Sequence, residues 1–329
     1  MKRAPSSRRM AFRFACSLYD RMLPLYTGEV RAEGIELEFV ANDSVRQIFD
    51  RMGGEQAYDA SEMSTSEFVT RLAAGDRRFV AIPVFPSRVF RHGFICVNSE
   101  RIRAPRDLAG KRIGVPLWTM TAAIWIRGHL REDYGVDLSE VTWVQGAIND
   151  AGSHGSPAAL PPPAGVRIEV NRSGRSLSDL LDEGAIDATL GTSLPRARKH
   201  NPALKRLFPD FREVERDYFR RTGIFPIMHL VVIRREVHEA NPRVAPSLYR
   251  ALEASKALAL KKMAYLGTLR YMLPWLTAEL EEIEALFDGD PFPYGVERNR
   301  KTLETLIGFM VEQGMLKAPI PIDDLFVPV

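Results

Sequence analysis

The segment Phe85-Pro86-Ser87-Arg88-Val89-Phe90-Arg91-His92-Gly93 sets two guanidinium groups and an imidazole immediately before the apolar run Phe94-Ile95-Cys96-Val97. A planar guanidinium forks onto both oxygens of a carboxylate, so Arg88 and Arg91 suit a small molecule that carries carboxylates. The adjoining imidazole, His92, exchanges a proton near neutral pH. The competing reading is a solvated basic loop with a hydrogen-bonded histidine. A second group of polar residues starts with Glu62 at the end of an apolar run and continues through Ser64-Thr65-Ser66 into helix-forming residues. Hydroxyls at a helix start cap its backbone, and the free amides there bind anions. Ser64 and Thr65 are read as reaching ligand and Ser66 as a cap. Leu117-Trp118-Thr119-Met120-Thr121, ahead of the helical run from Ala122, repeats the arrangement. Thr119 and Thr121 then form a second carboxylate cradle, and Trp118 either stacks on an aromatic ring or packs in the core.

Composition narrows the classes that such chemistry belongs to. The chain has 329 residues, of which 45% are hydrophobic and 26% charged, enough for two domain-sized cores. The net charge of +3 comes from basic residues dispersed along the chain, which argues against a nucleic-acid partner. Cys16 and Cys96 are the only cysteines, both in apolar strand-like runs, so buried free thiols and a reducing compartment are expected. Ser7-Arg8-Arg9 superficially resembles an export signal, but Arg13, Asp20 and Arg21 interrupt the apolar segment that such a signal requires. No apolar run reaches the length of a membrane span. A cytoplasmic location is expected. There is no G-x-G-x-x-G or G-K-[ST] phosphate cradle, and no H-E-x-x-H or clustered Cys/His spacing.

The elements that must position these residues alternate between β-rich and amphipathic segments, as in layered α/β proteins. Strands are expected at Phe12-Cys16, Ile35-Val40, Tyr58-Met63 and Phe79-Val84, with helices near Ser44-Met52 and Ser66-Ala74. Alternation restarts after Phe94-Val97 with strands ending at Val115 and at Val141-Val144, Ile168-Val170 and Ile186-Leu190. The strand Pro226-Ile233, which carries His229, precedes a helical tail with helices at Ala245-Ala264, Thr277-Leu286 and Val296-Gln313. The Gly/Pro-rich stretch Ala151-Gly165 reads as a surface excursion. The segment Pro319-Val329 reads as an extended tail packed on a lobe.

The order lobe, crossover strand, second lobe, return strand and helical tail, together with Asp107-Leu108-Ala109-Gly110-Lys111-Arg112-Ile113-Gly114-Val115, resembles the type 2 periplasmic-binding-protein fold. More narrowly, Tyr19-Asp20-Arg21, Tyr58 to Phe68, Phe85 to His92 and Pro226-Ile227-Met228-His229 resemble the 4,5-dihydroxyphthalate decarboxylase family, over nearly the whole chain. The resemblance implies an α/β chain of two lobes, 1–95 with 230–329 and 96–229, hinged by two crossover strands beneath a ligand cleft. It implies non-oxidative decarboxylation of a hydroxylated aromatic diacid without a redox cofactor. In such a fold His92 and His229 are expected to face each other across the ligand.

Ring protonation followed by loss of carbon dioxide then needs a proton donor, a base at the catechol edge and cations for the carboxylates. His92 is assigned as donor, His229 or Glu62 as base, and Arg88 and Arg91 as clamps. Tyr19, Ser64, Thr65, Trp118, Thr119 and Thr121 complete the expected binding set. No metal is expected; the alternative is a divalent ion held by His92, His229 and Glu62. The expected partner is a small aromatic carboxylate, and the oligomeric state is open, with a homo-oligomer as one outcome. A rival reading is a non-catalytic binding protein or sensor for a small organic anion, linked to an ABC-type transporter.

Overall fold

The computed structural model describes residues 10–155, 163 and 165–329. Eleven strands form two sheets. The first contains β1 (Met10–Cys16), β2 (Ile35–Ala41), β3 (Ala60–Ser64), β4 (Phe79–Arg88) and β11 (Ile227–Arg234), in the order β2-β1-β3-β11-β4. The second contains β5 (Ile95–Asn98), β6 (Arg112–Val115), β7 (Thr142–Gln145), β8 (Ile168–Val170), β9 (Ala188–Leu190) and β10 (Leu204–Arg206), in the order β10-β5-β9-β6-β7-β8.

Each sheet has one reversed strand. β11 runs antiparallel to β3 and β4, and β5 runs antiparallel to β9 and β10, whereas β1, β2 and β3 pair in parallel, as do β9, β6, β7 and β8. The reversed strand is in each case the one by which the chain enters that sheet from the other. Two crossings result, between β4 and β5 and between β10 and β11.

Helices cover the sheets because the strands are apolar on both faces, the pattern of parallel sheets. β4 is buried along its whole length, and Phe12, Phe14, Ile82, Val84, Val231 and Ile233 pack beneath the helix Val244–Met263. Full burial of each such side chain is worth about 1.5–3 kcal/mol. On the opposite face the helices Val45–Glu55, Thr65–Ala73 and Arg300–Glu312 meet the second lobe's helix Thr121–Glu132 in a shared core containing Trp125 and Phe309. The carboxyl-terminal tail packs on the first sheet, where Val327 donates its amide to Ala81 and Phe326 bridges the same residue.

Most expected elements are present with shifted ends. The largest difference concerns β4, which runs on through Pro86, Ser87 and Arg88, so that half of the basic loop is strand. The helices Leu177–Asp182, Phe211–Thr222 and Arg235–Ala240 and the strand β10 were not anticipated. Most of the central part of the Ala151-Gly165 excursion lies outside the described residues.

Candidate active site

Strand register brings together residues far apart in sequence. His229 on β11 pairs with Ser64 on β3 on one side and with Ser87 on β4 on the other. The three side chains line one cavity of about 290 Å³ between the sheets, together with Tyr19, Arg91 and Thr121. That volume suits a single small ligand.

Glu62 lies two residues before Ser64 on the same face of β3, and it is fully buried. Its Oε1 is 2.6 Å from His229 Nδ1 and accepts the Tyr19 hydroxyl at 2.6 Å; its Oε2 accepts the Ser17 amide at 3.1 Å and the Cys16 thiol at 3.3 Å. Burial alone would raise this carboxyl, but the hydrogen bonds from His229, Tyr19 and Ser17 outweigh it and hold Glu62 below its ordinary range. Burial and the neighbouring Glu62 charge push the Tyr19 phenol well up, so Tyr19 stays a donor. An ionised Glu62 places the proton on Nδ1 of His229 and leaves Nε2, which has no partner among the described residues, on the cavity side. The edge of His229 rests against Phe49, with ring centroids 4.9 Å apart.

Arg91 also lines the cavity. Its described hydrogen bond is from Nε to the Met228 sulfur at 3.4 Å, its guanidinium lies 5.1 Å from the Phe94 ring centroid, and it makes no ion pair among the described residues. Burial lowers it to about 10, opposed by Glu215, so it remains a cation at neutral pH. A desolvated guanidinium that makes no ion pair and is only partly offset by Glu215 suits an anionic ligand. Arg46, from the helix Val45–Glu55, lines the same cavity but is already paired with Asp50 and Glu67 at 2.7 and 2.9 Å.

Hydroxyls close the two lobes over this space. Ser64 Oγ is 2.9 Å from Thr121 Oγ1, which also accepts the Ser66 amide at 3.0 Å, and Ser66 Oγ donates to the Thr119 carbonyl at 2.9 Å. Both helix starts therefore meet at the cleft, with their hydroxyls bonded to each other across it. Ser66 is not a cap: it ties one lobe to the other. Thr119 takes part through its carbonyl, and the buried Thr65 hydroxyl has no hydrogen-bond partner among the described residues and lies outside the cavity lining.

Three further expected site residues lie away from the cavity. In the extended chain after Phe85, alternate side chains face opposite ways, so Ser87, Val89 and Arg91 line the cavity while Arg88 and His92 do not. Arg88 instead donates to the carbonyls of Phe225 and Pro293 at 2.9 and 3.2 Å and to Asn299 Oδ1, fastening the carboxyl-terminal segment. His92 is stacked on His129 with centroids 4.9 Å apart, boxed by Tyr134, Phe208 and Tyr218. Burial, helped by His129, lowers it to about 3, which keeps it neutral. It faces neither His229 nor the cavity. Trp118 is buried under Arg127 and borders a different cavity. The proposed His92, His229 and Glu62 metal trio does not converge; among the described residues the His/Cys/Asp/Glu donors that do are those of His92, His129 and Asp133.

Residues that sequence reasoning missed include Phe49, Ser87, Met228 and His154. The period-two alternation from Ser87 would have found that residue and separated Arg91 from Arg88. Nothing local marks His154, which reaches the cavity from the excursion loop.

Over 312 residues the chain is 34% identical to 4,5-dihydroxyphthalate decarboxylase of Comamonas testosteroni, covering 94% of each chain. It belongs to the 4,5-dihydroxyphthalate decarboxylase family. The enzyme of the same name from Pseudomonas putida is 37% identical over 204 residues, which is 61% of this chain and 78% of that one. No family model matches the sequence. The aliphatic sulphonate binding protein SsuA of Escherichia coli superposes with a TM-score of 0.54 at 14% identity, over 97% of this chain and 98% of its own. The alkanesulfonate-binding SsuA of Xanthomonas axonopodis pv. citri, bound to MOPS, gives 0.51 at 13%, over 98% and 100%. These likenesses show the type 2 periplasmic-binding-protein fold. For a decarboxylase-family chain, that fold sets Glu62, His229 and Arg91 at the cleft between its two sheets.

Proposed function

We propose that the protein removes one carboxylate from a hydroxylated aromatic dicarboxylic acid, and that 4,5-dihydroxyphthalate, converted to protocatechuate and carbon dioxide, is its substrate. The observation that carries this reading is the Glu62–His229 pair opening onto a cavity that is also lined by Arg91, a buried guanidinium with no ion pair among the described residues. Membership of the decarboxylase family supports the same reaction class.

Direct departure of carbon dioxide would leave an aryl carbanion, so the ring carbon is protonated first. The hydroxyl para to the departing carboxylate keeps its proton and feeds electron density to that carbon from its oxygen lone pair. His229 Nε2, charged and steadied by Glu62 behind it, delivers the proton and forms the new C–H bond. The C–C bond then breaks, its electron pair restores the aromatic ring, and carbon dioxide leaves. One proton is consumed overall. Arg91 holds the retained carboxylate, the Ser64 and Thr121 hydroxyls contact the polar edge, and Phe49 and Met228 give the departing group a less polar wall.

Purified protein incubated with 4,5-dihydroxyphthalate should release carbon dioxide and protocatechuate in equal amounts. Tight binding of the diacid without release would instead favour a capture protein of the same fold and overturn the assignment.

A further inference from the structure

Two supports flank the Glu62–His229 pair: Tyr19, whose hydroxyl donates to Glu62 Oε1 at 2.6 Å, and Ser87 of β4, which pairs with His229. One side chain touches both supports. Arg21 donates from Nε to the carbonyl of Pro86, the residue before Ser87, at 2.8 Å, with Nη2 on the same oxygen. Its guanidinium carbon lies 4.2 Å from the Tyr19 ring centroid and 4.2 Å from that of Phe292, and Nη1 is 3.1 Å from Asp20 Oδ1. The Arg21 side chain is 13% exposed.

Strand chemistry explains why Pro86 needs this partner. Pro83 and Pro86 bring no amide hydrogen to β4, and the register slips between His229, opposite Ser87, and Val231, opposite Ile82, so that two steps along β11 match five along β4. Carbonyls in this bulge find donors outside the ladder: that of Pro83 accepts the Gly295 amide at 2.8 Å, and that of Pro86 accepts Arg21. Pro86 is buried, and a buried carbonyl without a donor is costly. In the sheet, β3 and β11 lie between β1, which leads to Tyr19, and β4. Arg21 therefore joins the two flanks of His229.

We propose that Arg21 is a positioning residue, a role that rests on the decarboxylation assigned above: it fixes Tyr19 and Pro86 together, so that the Tyr19 hydroxyl stays on Glu62 and Ser87 stays opposite His229. Arg21 is not among the residues lining the cavity and acts through its neighbours.

Arg21→Ala in the full chain should lower kcat on 4,5-dihydroxyphthalate by roughly 10–10²-fold, the range for reacting groups misplaced by about 1 Å, with KM held within about threefold. The acidic limb of kcat should move to higher pH, because the Tyr19 hydrogen bond helps to hold the Glu62 carboxyl down. Arg21 borders a small cavity of about 140 Å³, so its truncation leaves room for free guanidinium. Guanidinium chloride at a few millimolar should restore kcat at least about fivefold, where sodium chloride does not. Nitrogen NMR of histidine-labelled protein, with His229 assigned through His229→Gln, reads the site without turnover: the His229 resonances should shift in Arg21→Ala and return with guanidinium. Unchanged His229 resonances in Arg21→Ala, or a kcat loss that guanidinium leaves untouched, would overturn the proposal. An inactive parent protein would remove the decarboxylation reading alone, and the resonances would then decide the role of Arg21. Should Arg21→Ala fail to fold, Arg21→Lys keeps the charge but not the planar fork, and unchanged His229 resonances in that variant overturn the assignment on their own.

Discussion

Nδ1 of His229 and Oε1 of Glu62 stand 2.6 Å apart although 167 residues separate them in the chain. The contact exists because β11 returns from the second sheet to lie beside β3 with His229 opposite Ser64. It orients the cavity's imidazole and sets Nδ1 as the nitrogen that faces the carboxylate.

His229→Gln should lower kcat by roughly 10²–10⁴-fold while substrate binding is retained, the usual size of a lost acid–base group. Glu62→Gln keeps the shape but loses the charge behind the ring, and a kcat loss on the order of 10²-fold with little change in KM is expected. Steady-state kinetics on both variants check this. Equal loss of KM and kcat would point to a collapsed site.

The two arginines should separate cleanly. Arg91→Met is expected to raise KM by about 30-fold or more, since truncating one partner of a buried charge pair costs 2–5 kcal/mol. Arg88→Met should leave KM near its original value and instead destabilise the fold by about 3 kcal/mol, because its hydrogen bonds to Phe225, Pro293 and Asn299 are lost. Denaturant titration alongside kinetics distinguishes the two outcomes.

His92 offers a pH test with a definite sign. Its folded value of about 3 lies below the ordinary histidine value of 6.5, so between those limits the unfolded chain binds a proton that the folded chain refuses. Stability from this residue is therefore present above pH 6.5 and lost as pH falls toward 3, with a slope of up to about 1.4 kcal/mol per pH unit. His92→Gln should flatten that part of the stability curve. Because His92 is outside the cavity, the same variant should keep kcat within about tenfold of the original, less than the loss of an acid–base group.

Thr121→Val removes the hydroxyl that joins the lobes and leaves the Ser66 amide unpaired. An unsatisfied buried donor costs about 1–3 kcal/mol, so kcat/KM should fall roughly tenfold if that contact forms as the cleft closes over substrate. Thr65→Val, whose hydroxyl has no hydrogen-bond partner among the described residues, serves as the control and should leave kcat/KM unchanged.

Prolonged dialysis against a chelator is expected to leave turnover intact. Glu62 Oε1 is committed to His229 and Tyr19, and the converging donors of His92, His129 and Asp133 lie behind the cavity. Activity lost on chelation and restored by one divalent ion would refute a purely protein-based mechanism.

The sequence by itself determined the architecture and the inventory. Apolar periodicity marks most strands and the helical tail, because alternation and helical spacing are local properties of the chain. The hydroxyl clusters before Phe68 and Ala122 announce two helix starts for the same reason. Which members of the inventory meet was decided only by tertiary structure. Arg88, Arg91 and His92 look equivalent as a basic cluster, yet the extended backbone sends Arg91 into the cavity and the others away from it. Glu62 and His229 become a pair through strand register, a relationship between segments brought together only when the second crossing is complete. Trp118 and Arg127, nine residues apart, meet because the loop folds back over the helix that follows it. Local sequence carries residue type and spacing; side-chain direction and long-range partners come from packing, and chemistry depends on both.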